Sequence, residues 1–188
     1  MAKKAKSSLL NMFLSLTVIA VVAAGLLALV KVVTEEPIEN AQKAKTEEAI
    51  KAVLPAFAKT DTLTVNGYMC HKAFNDAGEL VGVAVESFSD KGFGGRLKVM
   101  YGFDMAGTIV GYSILETAET PGLGAKADTW FQNGGKGCVV GKNPGESKLT
   151  VKKDGGEVDA ISGSTITSRA FCGALDEAYK AYKVVVEQ

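Results

Sequence analysis

Residues 97–115 read LKVMYGFDMAGTIVGYSIL. Residues 97–101 alternate as the two sides of an extended strand do, and residues 108–115 form a second strand-like run. Residues 104–107, Asp-Met-Ala-Gly, have the composition of a hairpin turn. We therefore predict two antiparallel strands joined by a tight turn.

Further predicted elements extend this hairpin into a domain. Residues 81–85 predict a strand after a turn at residues 75–78, and residues 138–140 and 149–151 predict two shorter strands. Short turns join antiparallel strands, so we expect a mainly antiparallel sheet. A C-terminal helix gains one apolar face from Phe171, Leu175, Ala178, Tyr179 and Tyr182. A sheet with packed helices is an α+β domain, which we assign to residues 61–188.

An apolar segment precedes this domain. Residues 9–30 hold three polar interruptions, Asn11, Ser15 and Thr17, and a helix of this length crosses a hydrocarbon core of about 30 Å. A cleaved signal peptide fits less well, because the run is long and no A-x-A site ends it. We predict a cytoplasmic tip and transmembrane anchor at residues 1–34. A helical connector at residues 35–60 follows, with its helix from Ile38 to Phe57 after Pro37.

The charge distribution predicts the orientation of the anchor. Residues 1–34 carry four lysines and no acid, whereas the rest of the chain carries 17 basic and 21 acidic residues. The lysines Lys3, Lys4 and Lys6 precede the span, so the N-terminus is expected in the cytoplasm. The later domain would then lie on the periplasmic side of the inner membrane. Its mildly acidic balance argues against binding to nucleic acid.

The cysteines and the single histidine do not indicate a metal centre. Cys70, Cys138 and Cys172 form no CxxC pair, which argues against zinc and iron–sulfur sites. We expect small buried side chains, with one disulfide left open as an alternative. His71 stands without other candidate ligands, and we expect a structural role for it.

A hydroxyl-rich segment precedes the C-terminal helix. Residues 159–168 read DAISGSTITS, with five hydroxyl side chains in seven residues around Gly163. Free N–H groups and the positive end of the helix dipole suit a phosphate there, and glycine permits a close backbone approach. An ordinary Ser/Thr-rich helix cap is the alternative interpretation.

A second segment, residues 116–124, reads ETAETPGLG directly after a predicted strand. Pro121, Gly122 and Gly124 favour a rigid loop that could lay backbone amides and Leu123 against a flat ring. An ordinary tight turn is the alternative.

Together, the two segments resemble the FMN-binding domain family. Residues 159–165, Asp-x-x-Ser-Gly-Ser-Thr, resemble the family's motif for covalent flavinylation, in which alanine is usual at the position of Ser164. Residues 119–124 resemble a loop of the same domain, and Phe-Gly-Gly at residues 93–95 adds to the similarity. The short chain with one span is most similar to the G subunit of the Rnf complex. The related C subunit of the sodium-pumping NADH:quinone oxidoreductase is typically longer.

The resemblance implies a covalent flavin site. In the family, a flavin transferase moves FMN from FAD onto the last motif residue, which is Thr165 here; Ser164 and Thr167 are the neighbouring alternatives. The implied cofactor-binding residues are Ser162, Gly163, Ser164, Thr165, Ile166 and Thr167, together with Glu119, Thr120, Pro121, Gly122, Leu123 and Gly124. The first group would hold the phosphate, and the second would contact the ring and ribityl chain.

The resemblance also implies an electron-relay role within an ion-translocating ferredoxin:NAD oxidoreductase. Expected partners are the other Rnf subunits, including integral-membrane subunits with a covalent flavin and an iron–sulfur centre, and the flavin transferase. The chain has no dinucleotide fingerprint and no ferredoxin-type cysteines. We therefore expect little activity alone and no catalytic residue of its own.

The sequence allows three alternatives to an Rnf G subunit. The chain could be the C-type subunit of the sodium-pumping enzyme. It could be a stand-alone anchored flavoprotein, or a non-enzymatic anchored scaffold protein. The scaffold would carry no flavin, and the stand-alone flavoprotein would have no stable Rnf partners.

Overall fold

The computed structural model describes residues 9–187. The chain divides into two compact units, Met1–Ala44 and Lys45–Gln188. Lys3, Lys4 and Lys6, which carry the orientation prediction, lie outside the described residues.

The first helix, α1, is Leu9–Val53, and it is continuous through Pro37. The prediction of a separate helix from Ile38 to Phe57 is therefore wrong at both ends. Pro55 explains the end at Val53, because a proline disfavours helical geometry in the residue before it. Within residues 9–187, α1 is the one helix long and apolar enough to cross a membrane, and no residue of its most apolar segment is buried.

The second unit contains a five-stranded antiparallel sheet. The strands are β1 Lys59–Val65, β2 Tyr68–Phe74, β3 Leu80–Ser89, β4 Leu97–Asp104 and β5 Ile109–Thr117. Each strand pairs with the next along the chain, in the order β1-β2-β3-β4-β5. The predicted antiparallel sheet, the strand at residues 81–85 and the 97–115 hairpin are confirmed.

The connection from β5 to the last helix is mostly irregular. It contains a 3₁₀ turn at Gly124–Lys126, the short helix α2 at Ala127–Trp130 and a 3₁₀ turn at Lys152–Asp154. The predicted strands at residues 138–140 and 149–151 are wrong, and Val151 makes only an isolated parallel bridge to Val158 within the described chain. Their apolar side chains enter the core from a loop, because a run of three apolar residues can be buried without strand pairing.

The last helix, α3, is Thr165–Val186, and it packs on one face of the sheet. Phe171 in its first half stacks on Phe131 with ring centroids 4.2 Å apart, and its carbonyl accepts a 2.9 Å hydrogen bond from the Tyr101 hydroxyl. Both rings and Tyr101 are fully buried. This aromatic packing fixes α3 and therefore positions its first turn.

The other face of the sheet is covered by the end of α1. Ile50 and Val53 are buried there against Met100 of β4. A Cβ on Gly102 would lie 1.9 Å from the Val53 carbonyl oxygen, so only glycine admits this contact. The sheet is thus sandwiched between α3 and the last turns of α1.

The three cysteines are free thiols within the described chain. Cys70 and Cys172 are buried, as predicted, and Cys138 is half-buried. Burial raises the pKa of Cys70 to about 11 and that of Cys172 to about 12. Both thiols are therefore protonated at neutral pH, and the disulfide alternative is not realised.

Candidate functional site

The two segments singled out in the sequence lie together in the folded domain. A Cβ built on Gly163 would lie 3.4 Å from the Leu123 Cδ2 atom. A Cβ on Gly124 would lie 2.8 Å from the Thr167 Oγ1 atom. The 119–124 loop therefore packs against the start of α3, and a single site contains both.

The approach to α3 is a tight turn locked by Ser168. Gly163 has a φ of 80°, a conformation that favours glycine, and the Ser164 amide donates a 2.9 Å hydrogen bond to the Ile161 carbonyl. The Ser168 hydroxyl accepts a 2.9 Å hydrogen bond from the Ile161 amide and donates a 3.0 Å bond to the Ser164 carbonyl. These hydrogen bonds tie the turn to the start of α3.

Ser164 occupies the N-cap position of α3. Within the described chain its side chain makes no capping hydrogen bond, so the interpretation as an ordinary side-chain cap is not supported. The first amides of a helix have no acceptor within the helix. The amides at the start of α3, beginning with Thr165, therefore have no acceptor within the helix, and an anion is a suitable partner for such amides.

The five hydroxyls of the segment differ in accessibility. Ser164 is 9% exposed, and Thr167 and Ser168 are fully buried, whereas Ser162 is exposed and Thr165 is half-buried. Of the three hydroxyl residues on the first turns of α3, Thr165 is therefore the one that is not buried. Thr167 Oγ1 has no hydrogen-bond partner among residues 9–187.

The first residue of the motif, Asp159, anchors the segment through two contacts. The Asp159 carboxylate forms a 2.8 Å ion pair with Lys152, and the Asp159 carbonyl accepts a 2.8 Å hydrogen bond from the Trp130 indole N–H. Trp130 is half-buried and packs against the core. These contacts hold the chain that leads into the turn.

The 119–124 loop is a compact turn with exposed outer residues. The Thr120 carbonyl accepts hydrogen bonds of 3.2 Å from the amides of both Leu123 and Ala125. Gly122 has a φ of 78°, and Thr120, Pro121 and Leu123 are exposed. Glu119 is buried, and its Oε1 accepts a 2.8 Å hydrogen bond from the Phe93 amide.

Three apolar side chains near the site are exposed. Phe93 is 70% exposed, Leu123 44% and Ile166 49%. Ile166 also lines a groove of about 760 Å³, which runs along α3 past Arg169 and Gly173 and is bounded by Phe88. The sequence did not predict this groove, because it depends on the packing of the β3–β4 connection beside α3.

His71 lies away from the site, on the sheet face covered by α1. Its Nδ1 is 3.0 Å from the Thr62 hydroxyl, and its Nε2 is 3.3 Å from Glu86 Oε1. The other Glu86 oxygen pairs with Lys98 at 2.5 Å. Burial acts to raise the pKa of Glu86, but the hydrogen bonds from His71 and Lys98 outweigh it and lower this pKa. His71 is part of a buried polar network, and residues 9–187 contain no cluster of metal ligands.

Two protein families match parts of the chain. Residues 92–180 match the FMN-binding domain, and residues 6–53 match the family described as the RnfG N-terminal region. The first match contains both candidate segments and the Phe93 segment. The second ends at Val53, where α1 ends.

Curated relatives match over most of their length. The chain is 34% identical to the G subunit of the ion-translocating oxidoreductase complex of Methanosarcina acetivorans, over 89% of this chain and 91% of the relative. It is 30% identical to the G subunit from Cronobacter sakazakii, over 87% of this chain and 85% of the relative. It is 31% identical to the G subunit from Vibrio cholerae, over 88% of this chain and 86% of the relative. Among solved structures, NqrC of Shewanella oneidensis has a TM-score of 0.45 at 21% identity, covering 72% of each chain.

Proposed function

The chain belongs to the family of G subunits of ion-translocating oxidoreductase complexes, and we propose that it relays electrons in such a complex through an FMN bound covalently to Thr165. The position of Thr165 is the main support for this proposal. Thr165 is the hydroxyl residue on the first turn of α3 that is not buried, and it lies two positions after Gly163, whose Cβ position is 3.4 Å from Leu123.

The residues present fit an FMN phosphate. The open amides at the start of α3 and the positive end of the helix dipole favour an anion. Gly163 is exposed and has no side chain that would cover its backbone, and Ser162 is an exposed residue with a hydroxyl donor. An ester on Thr165 would keep one negative charge next to these donors. Ser162, Gly163 and Ser164 would hold the phosphate, with Ile166 and Thr167 as its neighbours on the helix.

Attachment is a phosphoryl transfer for which the chain supplies the nucleophile. The Thr165 hydroxyl oxygen forms a bond to the FMN phosphorus of FAD, the pyrophosphate bond breaks, and AMP leaves. The hydroxyl proton is passed to a base of the flavin transferase. Ser164 and Thr167 would compete poorly, because both side chains are buried.

The bound FMN would supply the one- and two-electron chemistry, and this chain would supply position and environment. Residues 119–124 would contact the flavin from the side of Leu123, whose side chain is exposed next to Gly163. Electron transfer requires proximity to a partner rather than a closed substrate pocket. The exposed Phe93, Leu123 and Ile166 are consistent with a flavin edge that meets another protein surface.

The chain is a single-pass membrane protein, as α1 and its complex-subunit relatives indicate. We propose an inner-membrane location with the N-terminus cytoplasmic and the FMN domain periplasmic, on the strength of the N-terminal lysines. The partners would be the other complex subunits and the flavin transferase. A covalent link suits this side, because a released cofactor would be lost.

The test is co-expression of the full chain with a flavin transferase, followed by a denaturing gel viewed under ultraviolet light. We expect a fluorescent band at the mass of the chain, which requires a covalent flavin. A non-fluorescent band beside a fluorescent control substrate of the same transferase would overturn flavinylation and favour the scaffold alternative. Co-purification of the other subunits from native membranes separates the complex from the stand-alone flavoprotein.

A further inference from the structure

Glu119 lies at the centre of the segments that surround the attachment site. We propose that Glu119 is the positioning residue that orients the first turn of α3 and thereby presents Thr165 to the flavin transferase. This inference rests on the proposed function and adds a residue that acts through its neighbours, without contact to the reacting atoms.

Glu119 accepts a buried, charge-assisted hydrogen bond from the Phe93 amide. Glu119 is 8% exposed, and its Oε1 accepts a 2.8 Å hydrogen bond from the Phe93 amide. Hydrogen bonds to a carboxylate are stronger than those between neutral groups. One oxygen of Glu119 therefore ties the 119–124 loop to residues 92–95, which are far from it in sequence.

Two glycines, Gly92 and Gly124, pack closely against the Glu119 carboxylate. A Cβ on Gly92 would lie 2.7 Å from Glu119 Oε1, and a Cβ on Gly124 would lie 2.5 Å from Oε2. Gly94 packs as tightly, since its Cβ would lie 2.1 Å from the Ala118 carbonyl oxygen. The backbone therefore encloses the carboxylate from both sides, and a larger residue at any of these three positions would displace its neighbours.

Gly124 lies between the Glu119 carboxylate and α3. The Cβ position on Gly124 that lies 2.5 Å from Glu119 Oε2 also lies 2.8 Å from Thr167 Oγ1. The carboxylate and the fully buried hydroxyl are thus neighbours across Gly124. Successive helical residues are about 100° apart, so residues two apart lie on nearly opposite sides. Thr167 packed inward beside Glu119 therefore turns Thr165 outward.

Removal of the carboxylate would free all three segments at once. The Phe93 amide would lose its acceptor, and the space beside Thr167 would open. The first turn of α3 would then sample several orientations of Thr165, and only some would suit in-line attack. The binding surface for the transferase would change little, so the turnover number should fall more than the Michaelis constant rises.

The experiment measures FMN transfer from FAD to the purified full chain in detergent micelles, with purified flavin transferase and the mass adduct as the readout. Glu119→Ala is expected to lower kcat about tenfold with a nearly unchanged KM. Glu119→Gln is expected to stay within about threefold of wild type, because its amide oxygen still accepts from Phe93. Glu116→Ala, an exposed acid in the same segment, is the matched control and should match wild type.

Transfer at the wild-type rate in Glu119→Ala would overturn the proposal, as would Glu119→Gln as slow as Glu119→Ala. If Glu119→Ala does not fold by circular dichroism, Gly124→Ala replaces it. The added methyl group there would press on Oε2 and is expected to slow transfer as well, and an unchanged rate would overturn the proposal. Wild-type chain that acquires no flavin would instead reject the proposed function itself.

Discussion

The Leu123 side chain lies 3.4 Å from the point where a Cβ on Gly163 would stand, so the loop after β5 and the turn before α3 form one surface. A long and mostly irregular segment, residues 124–162, separates the two positions in the chain. Their contact brings the proposed phosphate-binding end of the site next to the loop expected to meet the flavin.

Substitution of Gly163 tests the turn that presents Thr165. Gly163→Val forces a β-branched residue into a φ of 80°, at a cost of about 1–2 kcal/mol, and should also slow flavin attachment. Gly163→Asn should be milder, because asparagine tolerates left-handed geometry better. Urea unfolding measures the stability, and the flavin adduct measures attachment. Equal effects of the two substitutions would contradict a role of the backbone conformation.

Thr167→Val tests the second hydroxyl of the helix as an acceptor. The buried Thr167 hydroxyl has no hydrogen-bond partner among the described residues, so its replacement by a methyl group should leave the free energy of unfolding unchanged or slightly raised. The flavin adduct should persist, because the ester is expected on Thr165. Loss of the adduct in a folded variant would move the site to Thr167.

The packing of α1 on the sheet can be tested with two glycines. Gly102→Ala would place a methyl group 1.9 Å from the Val53 carbonyl oxygen and should destabilise the second unit by about 3 kcal/mol. Gly173→Ala is the matched control. Gly173 lies on the exposed side of α3, and its Cβ position has no neighbouring atom of the described residues within 4 Å. It should stabilise by about 0.5–1 kcal/mol. Similar unfolding midpoints for both variants would refute the close contact.

The Glu86 network predicts a pH dependence of stability. The pKa of Glu86 is lowered in the folded state, so its contribution is present above the unfolded pKa of about 4.3 and is lost as the pH falls through the folded value. Glu86→Gln should therefore flatten the loss of stability in acid and weaken the fold near neutral pH. Unfolding free energies measured across this pH range check the prediction. A variant with the wild-type acid slope would show that Glu86 is not the responsible group.

The elements with long regular patterns were the predictable ones. The hairpin around Asp104 and the helix through Phe171 follow from alternation and from helical spacing. The strands predicted at residues 138–140 and 149–151 failed because their short apolar runs are buried by a loop. The family resemblance paired the two candidate segments. The burial of Glu119 and Thr167 could not be predicted, because it depends on packing between segments distant in sequence.

Intact mass with peptide mapping of the co-expressed chain tests the proposed ester on Thr165. Wild type and Thr165→Ser should carry one FMN phosphoryl adduct, mapped to the peptide that contains residue 165, whereas Thr165→Ala should carry none. Circular dichroism must show that Thr165→Ala is folded, as its half-buried position leads us to expect. A full adduct retained in Thr165→Ala would show that the flavin is attached to another residue.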